Sequence, residues 1–273
     1  MDRASGYGPE GLGFESLWVY KIDSYMEIFI LIIASFITSS ISAVIGMGGG
    51  IILLGIMTFF IPQGYMVVAL HGIIQLISNL TRTYIFRKNI NTIIIRRFFL
   101  GAFLGVSISI VIILLLIKYF NVKSADQIKI DILTPIIGIF ILWNLFFKKY
   151  TQDINNNSFF IAGLISGISS IFVGATGPLI APFFLNKKLL KENIIANKAA
   201  CQVITHLSKI PIFIYLFNVN YIREINILIP LICAVFIGTK LGKNFLKFMP
   251  DKIFEKTFRI VLCFIALKLL LGY

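Results

Sequence analysis

Long runs of apolar residues, separated by short polar stretches, dominate the chain from residue 25 onward. The runs cover about residues 25–46, 50–61, 66–86, 98–117, 131–147, 158–175, 178–186, 193–217, 226–242 and 255–272. Most of them approach or reach the roughly 17–25 residues that an α-helix needs to cross a bilayer. Because a lipid-exposed backbone must satisfy its own hydrogen bonds, the pattern predicts an all-α polytopic membrane protein.

Two of the runs, 50–61 and 178–186, are too short to cross a membrane at about 1.5 Å per helical residue. Each follows a break in the apolar pattern, Gly46-Met47-Gly48-Gly49-Gly50 in the first case and Gly174-Ala175-Thr176-Gly177-Pro178 in the second. Glycine lets a backbone turn inside the membrane where the turn faces protein or a cavity. We therefore predict one glycine-broken helical hairpin at each break.

The two breaks belong to an internal repeat with a shift of 127 residues. Without a gap from residue 39 to residue 82, the shift superposes polar residues, among them Ser42 on Ser169, Gln75 on Gln202, Ser78 on Thr205 and Arg82 on Lys209. Chance similarity between apolar helices does not align polar residues in register. We interpret 25–149 and 158–273 as two transmembrane repeats, joined by a linker at 150–157 and preceded by a polar tail at 1–24.

The second repeat is expected to be inverted relative to the first, since each holds about five segments and an odd number reverses the direction. The loop 87–97 carries four basic residues, whereas its counterpart 218–224 carries one arginine and one glutamate. The positive-inside rule then places both termini outside and the loops 87–97, 148–157, 186–192 and 243–252 inside. The loop 118–130, with three lysines, does not fit this assignment. Inverted repeats with broken helices are typical of secondary transporters.

The composition supports a membrane protein and excludes other classes. Hydrophobic residues make up 58% and charged residues 14% of the chain, against about a quarter charged in soluble domains. The net charge of +13 suggests nucleic acid at first sight, but the basic residues cluster between apolar runs, so we expect a lipid bilayer and no nucleic acid. Cys201, Cys233 and Cys263 are isolated in apolar stretches and show neither metal-ligand spacing nor a disulfide framework. We expect no metal.

The third segment of each repeat carries a polar stripe. In the first repeat the spacing i, i+4, i+8, i+11 is occupied by His71, Gln75, Asn79 and Arg82. In the second it is occupied by Lys198, Gln202, His206 and Lys209. These positions fall within roughly 80° of one another on a helix. Polar residues on one face of a membrane helix face a partner or a water-filled cavity.

The charge of these stripes favours an anionic substrate. All 12 acidic residues lie in the tail, in loops or near segment ends, and cation carriers usually keep an intramembrane acid. Cationic stripes and helix N-termini after the glycine breaks suit an oxyanion. The predicted substrate-binding residues are Gly48, Gly49, Gly50, His71, Gln75, Asn79, Arg82, Ala175, Thr176, Gly177, Lys198, Gln202, His206 and Lys209. We expect the anion to contact Gln75, Asn79, Gln202, His206 and Lys209, while Arg82 and Lys198 set the potential on the approaches.

Other interpretations fit parts of this pattern. Arg82 and Lys198 lie near segment ends, where snorkelling to the interface explains them equally well. His71 and His206 can join helices by hydrogen bonds or carry a proton. A passive anion channel fits the same residues as a carrier. A membrane-embedded enzyme has less support, because the chain has only two histidines and neither HExxH, GxSxG nor clustered intramembrane carboxylates. We predict a transporter and not an enzyme.

At these residues the chain resembles the TauE/SafE family of sulfite exporters, also described as organosulfonate permeases. The resemblance begins at about residue 25 and rests on the stretches 45–50, 70–79, 86–91, 101–105, 174–182 and 197–209. It implies transport of sulfite or a related sulfur oxyanion across the bacterial cytoplasmic membrane, without an organic cofactor. Ala175 and Thr176 depart from the glycine triplet of the family, and the Thr176 hydroxyl can donate to an oxyanion.

Overall fold

The computed structural model describes residues 25–128, 139, 142, 156–174, 176–184 and 189–271. Over these ranges it holds α-helices and short 3-10 turns and no β-strand. The helices are α1 (Tyr25–Ile45), α2 (Gly49–Phe60), α3 (Gly64–Ile85), α4 (Thr92–Tyr119), α5 (Asn156–Val173), α6 (Gly177–Ile180), α7 (Lys191–Leu216), α8 (Ile225–Leu246) and α9 (Asp251–Leu271). The predicted tail, and nearly all of the predicted segment 131–147 and linker 150–157, lie outside the described residues.

Five helices, α1, α3, α4, α7 and α8, are long and apolar enough to cross a membrane. Their outer faces carry large exposed apolar side chains, such as Phe29 on α1, Phe103 on α4 and Phe245 on α8. Soluble proteins rarely leave such side chains in contiguous exposed patches, whereas lipid tails solvate them. The chain is therefore a multi-pass helical membrane protein, as the apolar pattern predicts.

Two predicted segments differ most in their limits from the structure, and the predicted loop 243–252 is shorter, because α8 continues to Leu246 and α9 begins at Asp251. Helix α4 begins at Thr92 instead of about residue 98, because the Asn91 side chain accepts hydrogen bonds from the Ile93 and Ile94 amides and caps the helix. Arg96 and Arg97, assigned to a loop, therefore lie on the first turns of α4. Over the described residues, the second short segment, 178–186, is α-helical at Gly177–Ile180 and continues as a 3-10 turn at Ala181–Phe184. Pro182 has no amide hydrogen to continue the α-helix.

Two helix pairs pack backbone against backbone through glycines. A Cβ added to Gly105 of α4 would lie 2.2 Å from the Leu164 carbonyl oxygen of α5, and one added to Gly163 of α5 would lie 2.2 Å from the Phe98 carbonyl oxygen. Likewise, a Cβ on Gly242 of α8 would lie 2.5 Å from the Ser40 carbonyl oxygen of α1. Small residues let membrane helices approach closely, which holds the pairs α4–α5 and α1–α8 together.

Helices α3 and α7 pack along each other in the middle of the protein, next to both glycine breaks. They are the most enclosed spans, whereas α4 is the most exposed to lipid. The largest cluster of buried apolar side chains includes Met47, Leu179 and Phe184 near the breaks and Phe258 of α9. The polar stripes of α3 and α7 thus lie inside the protein and away from lipid.

Candidate functional site

The site is built around the two glycine breaks. Helix α1 ends at Ile45, Gly46 follows with φ +79°, and the chain crosses Met47 and Gly48 before α2 begins. In the second break α5 ends at Val173 and Gly174 also has φ +79°. A positive φ is strained for residues with a side chain, so glycine is required where the chain leaves each helix.

Two glutamines lie directly against the helices that follow the breaks. A Cβ on Gly50 would lie 3.0 Å from Gln75 Oε1, and a Cβ on Gly177 would lie 2.8 Å from Gln202 Nε2. The missing side chains at these glycines therefore make room for the amides. These two pairs occupy equivalent positions of the internal repeat, 127 residues apart.

A small cavity lies where α3 and α7 meet the breaks. It is lined by Ser42, Met47, Gly48, Gly50, Ile51, His71, Gln75, Arg82, Gly177, Pro178, Lys198, Gln202 and His206. The space open to the centre of a water-sized sphere is about 20 Å³, and one water needs about 10–15 Å³ by this measure. In this conformation the cavity has room for a very small polar ligand.

Buried cations surround this region. Arg82 is 2% exposed, and Lys198 and Lys209 are each 1% exposed. Arg82 donates to the Asn79 side-chain oxygen (2.7 Å) and to the Ser42 carbonyl oxygen (3.3 Å). Lys198 Nζ donates to the Gly46 carbonyl oxygen (2.6 Å), and Lys209 Nζ donates to the Gly174 carbonyl oxygen (2.5 Å). All three cationic side chains therefore donate hydrogen bonds to neutral oxygen atoms.

No carboxylate balances these charges in the described part of the chain. None of its Asp or Glu side chains is buried as a whole or lines the cavity, and the one enclosed carboxylate oxygen belongs to Asp126 in the turn after α4. Its ion pairs involve Lys191 and Arg259, at other places on the helices. Buried charges without a counter-ion are costly. An anion entering this region would supply the missing negative charge.

Several polar atoms of the site also lack a hydrogen-bond partner among the described residues. They are Arg82 Nε and both ring nitrogens of His206. The His71 and His206 rings face each other edge to face, 6.2 Å apart, and His71 Nε2 donates to the Gly50 carbonyl oxygen (2.7 Å). Buried polar groups are normally paired, so these unpaired atoms mark a place where a polar ligand or water completes the site.

A comparison with protein families decides the class of the protein. A family model described as sulfite exporter TauE/SafE matches residues 31–269, which is most of the chain. The chain belongs to the TauE/SafE family. No curated protein and no solved structure matches it. The TauE/SafE family is one of membrane transporters and not of enzymes, and its description implies an exported anion.

In this TauE/SafE protein the structure brings most of the predicted site residues to one cavity. Those that line it are Gly48, Gly50, His71, Gln75, Arg82, Gly177, Lys198, Gln202 and His206. Arg82 and Lys198 are buried, so neither snorkels to the interface in this structure. They line the cavity itself, whereas the sequence analysis placed them on its approaches.

Four other predicted residues lie nearby without lining the cavity. Gly49 packs against the backbone of α1, where a Cβ would lie 1.8 Å from the Thr38 carbonyl oxygen. The Asn79 side-chain oxygen accepts a hydrogen bond from Arg82, and the Thr176 and Thr205 hydroxyls are hydrogen-bonded to each other (3.2 Å). Lys209 donates its hydrogen bond to the Gly174 carbonyl oxygen of the second break and does not line the cavity. The remaining candidate, Ala175, lies outside the described residues.

Four residues that line the cavity are not among the predicted binding residues, namely Ser42, Met47, Ile51 and Pro178. Ser42 was visible in the repeat, since it aligns with Ser169. Its carbonyl oxygen accepts from Arg82, which brings it to the site. Ile51 and Pro178 lie where the helices begin after the two breaks, and those helix N-termini were expected to suit an oxyanion. Met47 is an apolar neighbour of the glycines, and its residue type gives no signal of a polar site.

Proposed function

We propose that this TauE/SafE protein is a secondary transporter that moves a small sulfur oxyanion, such as sulfite or a related compound, by alternating access. The observation that carries the proposal is the composition of the central cavity. Two buried cations line it, His206 offers two unpartnered nitrogens, and no Asp or Glu of the described residues is buried. A bound anion offsets the uncompensated positive charge and satisfies the unpaired donors.

The first break adds a further feature that suits an anion. The N-cap residue of α2, Gly48, has no side chain that could cap the helix, and Gly48, Gly50 and Ile51 line the cavity. The first amides of a helix have no intrahelical partner and carry partial positive charge. A small oxyanion in the cavity would accept hydrogen bonds from such amides, as anions at helix N-termini do.

In this conformation the cavity has room for about one or two waters. Both sulfite and a larger organosulfonate therefore require a wider conformation of the same site.

We propose further that 25–149 and 158–273 are two inverted repeats, with 150–157 as linker, that rock about the cavity. The helix pairing supports this. By the shift of 127 residues α1 corresponds to α5, and α4 corresponds to α8. Accordingly α1 packs on α8 and α5 packs on α4, while the equivalent helices α3 and α7 pack on each other. Rocking of such repeats around a central site gives alternating access.

The transport assay tests the proposal directly. Purified protein in liposomes is loaded with unlabelled sulfite, and uptake of ³⁵S-sulfite by counterflow is measured against thiosulfate, a short sulfonate and sulfate as competitors. We expect saturable counterflow, inhibited by at least one sulfur oxyanion. Conductive flux without saturation would indicate a channel instead. If none of these anions moves or competes, the proposed substrate class is wrong.

Substitutions of cavity residues test whether transport depends on the cavity. Arg82→Met and Lys198→Gln should each lower counterflow about tenfold or more, since a hydrogen bond to a charged group contributes about 1.5–3 kcal/mol. Arg97→Met removes an exposed cation from α4 and serves as the matched control. Equal counterflow of all three variants, each shown to be folded by gel filtration, would contradict the placement of the site.

The membrane in question is proposed from the family alone to be the bacterial cytoplasmic membrane. The bilayer and the anion are the partners expected, and no residue of the site requires an organic cofactor for this function.

A further inference from the structure

Each glycine break leaves the C-terminal end of a helix inside the protein. Gly46 follows α1 and Gly174 follows α5, and both carbonyl groups lie at the end of a helix of at least 18 residues. The last carbonyls of a helix have no intrahelical partner and carry partial negative charge. Such ends need a cationic or hydrogen-bonding partner when they are buried.

The carbonyl oxygens at both of these helix ends accept hydrogen bonds from lysines of one helix, α7. Lys198 Nζ donates to the Gly46 carbonyl oxygen (2.6 Å), and Lys209 Nζ donates to the Gly174 carbonyl oxygen (2.5 Å). Arg82, the repeat equivalent of Lys209, likewise donates to the Ser42 carbonyl oxygen in the last turn of α1 (3.3 Å). Side-chain cations of this chain therefore contact the ends of both broken helices.

In broken-helix carriers of other families, the C-terminal ends of half-helices and the unwound carbonyls coordinate a coupling Na⁺. We infer that the Lys198 and Lys209 ammonium groups are built-in cations that take the place of a soluble coupling cation, so that this carrier works without sodium. The inference rests on the proposed transport function. An ammonium group is a compact charge with three donors, and it suits a group of carbonyl oxygens as a small cation does.

The surroundings also oppose binding of a soluble cation. In the part of the chain that the structure describes, no carboxylate is buried that could accompany a Na⁺ ion. Arg82, Lys198 and Lys209 are all buried in the same region, and a further cation there would be repelled by them. The two carbonyl oxygens at the breaks already accept from the lysines.

The two lysines differ in a way that makes one of them the better probe. Lys198 lines the anion cavity as well as holding its break, so a change there affects the substrate directly. Lys209 holds the Gly174 carbonyl and does not line the cavity. A variant of Lys209 therefore tests the built-in cation with the least interference from anion binding.

The first test needs no variant. Counterflow of ³⁵S-sulfite by the wild-type protein is measured with Na⁺ on both sides and again with Na⁺ replaced by N-methylglucamine at equal ionic strength. We expect the rates to differ by less than about twofold, because no soluble cation has to bind for the conformational change. Counterflow that is lost without Na⁺ would overturn the inference while leaving the proposed anion transport intact.

The second test uses the thermal unfolding midpoint of the full-length protein in detergent, in choline chloride, sodium chloride or methylammonium chloride. We expect the wild-type midpoint to be the same in all three salts. Lys209→Met should unfold at a lower temperature and be partly restored by methylammonium, and Lys209→Arg should retain most of the stability. Lys240→Met, which removes an exposed lysine of α8, is the matched control.

Two results would contradict the inference in this second test. One is a wild-type midpoint that rises specifically with Na⁺, which would reveal a soluble cation site. The other is a Lys209→Met protein as stable as Lys240→Met, which would show that the Gly174 carbonyl needs no cation. If sulfite is not transported at all, the proposed function is wrong. The unfolding measurement does not depend on transport, so it still shows whether the lysines take the place of a soluble cation.

Discussion

His206 has surroundings that a purely structural histidine lacks. Its side chain is 1% exposed, and both ring nitrogens are without a partner among the described residues. His71, which faces it, donates a hydrogen bond from Nε2 to the Gly50 carbonyl oxygen. A histidine that only joined two helices would pair its ring nitrogens with the neighbouring helix. The unpaired ring nitrogens of His206 therefore fit a role in hydrogen-bonding a ligand.

This difference predicts opposite effects of the same substitution at the two histidines. His206→Leu should raise the free energy of unfolding by about 1 kcal/mol, because it removes buried polar atoms that lack partners. It should nevertheless lower sulfite counterflow. His71→Leu should lower the free energy of unfolding by about 1–3 kcal/mol, since it leaves a buried carbonyl oxygen unpaired.

The measurement is denaturant or thermal unfolding in detergent together with counterflow in liposomes. If His206→Leu destabilises the protein as much as His71→Leu does, His206 is a structural residue. In that case the unpaired nitrogens bind ordered water, and the ligand lies elsewhere.

At this scale the sequence predicted which helix faces are polar but not what each long side chain contacts. The spacing of the stripe indicated that Lys209 points inward, and the structure agrees. Lys209 has an ammonium group at the end of four methylenes, however, and its hydrogen bond goes to the Gly174 carbonyl oxygen instead of the cavity. Such choices depend on carbonyl positions in another segment, which a stripe of residue types does not specify.

At the scale of helices, the glycine breaks determine where the half-helices begin. Gly174 combines φ +79° with close neighbours, since an added Cβ would lie 3.1 Å from both Leu54 Cδ1 and Val68 Cγ2. Its carbonyl oxygen also accepts from Lys209. A change at Gly174 therefore affects the backbone, its packing on α2 and α3, and the partner of a buried cation.

Gly174→Ala should lower the free energy of unfolding by at least about 1–2 kcal/mol, the cost of a left-handed conformation for a residue with a Cβ. The matched control is Gly64→Ala at the start of α3, where an added Cβ meets no atom within 4 Å. We expect that control to unfold at the wild-type temperature or slightly above it. Equal stability of the two variants would show that the second break tolerates a side chain.

The breaks were predictable because a run of glycines weakens a membrane helix and is tolerated only where the backbone turns against protein or a cavity. The limits of α4 and α6 were not predictable. Helix α4 extends into a basic, polar stretch because Asn91 caps it, and hydropathy does not register a cap. Helix α6 gives way to a 3-10 turn near Pro182, where apolar composition alone predicts a longer helix.

Considered as a whole, the protein places positive charge at its centre and leaves carboxylates outside the core of the described residues. The membership of the TauE/SafE family agrees with a membrane transporter, and the composition of the cavity supports an anion as its cargo. Composition and the internal repeat were readable from the sequence because both depend on residue types in order. The cavity was not, since it arises only where α3 and α7 meet both breaks.

The most direct test of the central claim is to locate an anion in the protein. Selenite has the charge and pyramidal shape of sulfite, and selenium scatters anomalously. Crystals of the wild-type protein and of Arg82→Met, soaked in selenite, should be compared by anomalous difference maps. The proposed site predicts one strong peak in the wild-type protein beside Arg82, Lys198 and His206, and its loss in the variant. A peak elsewhere in the membrane region, or one that persists unchanged in Arg82→Met, would contradict the proposal that this cavity binds the transported anion.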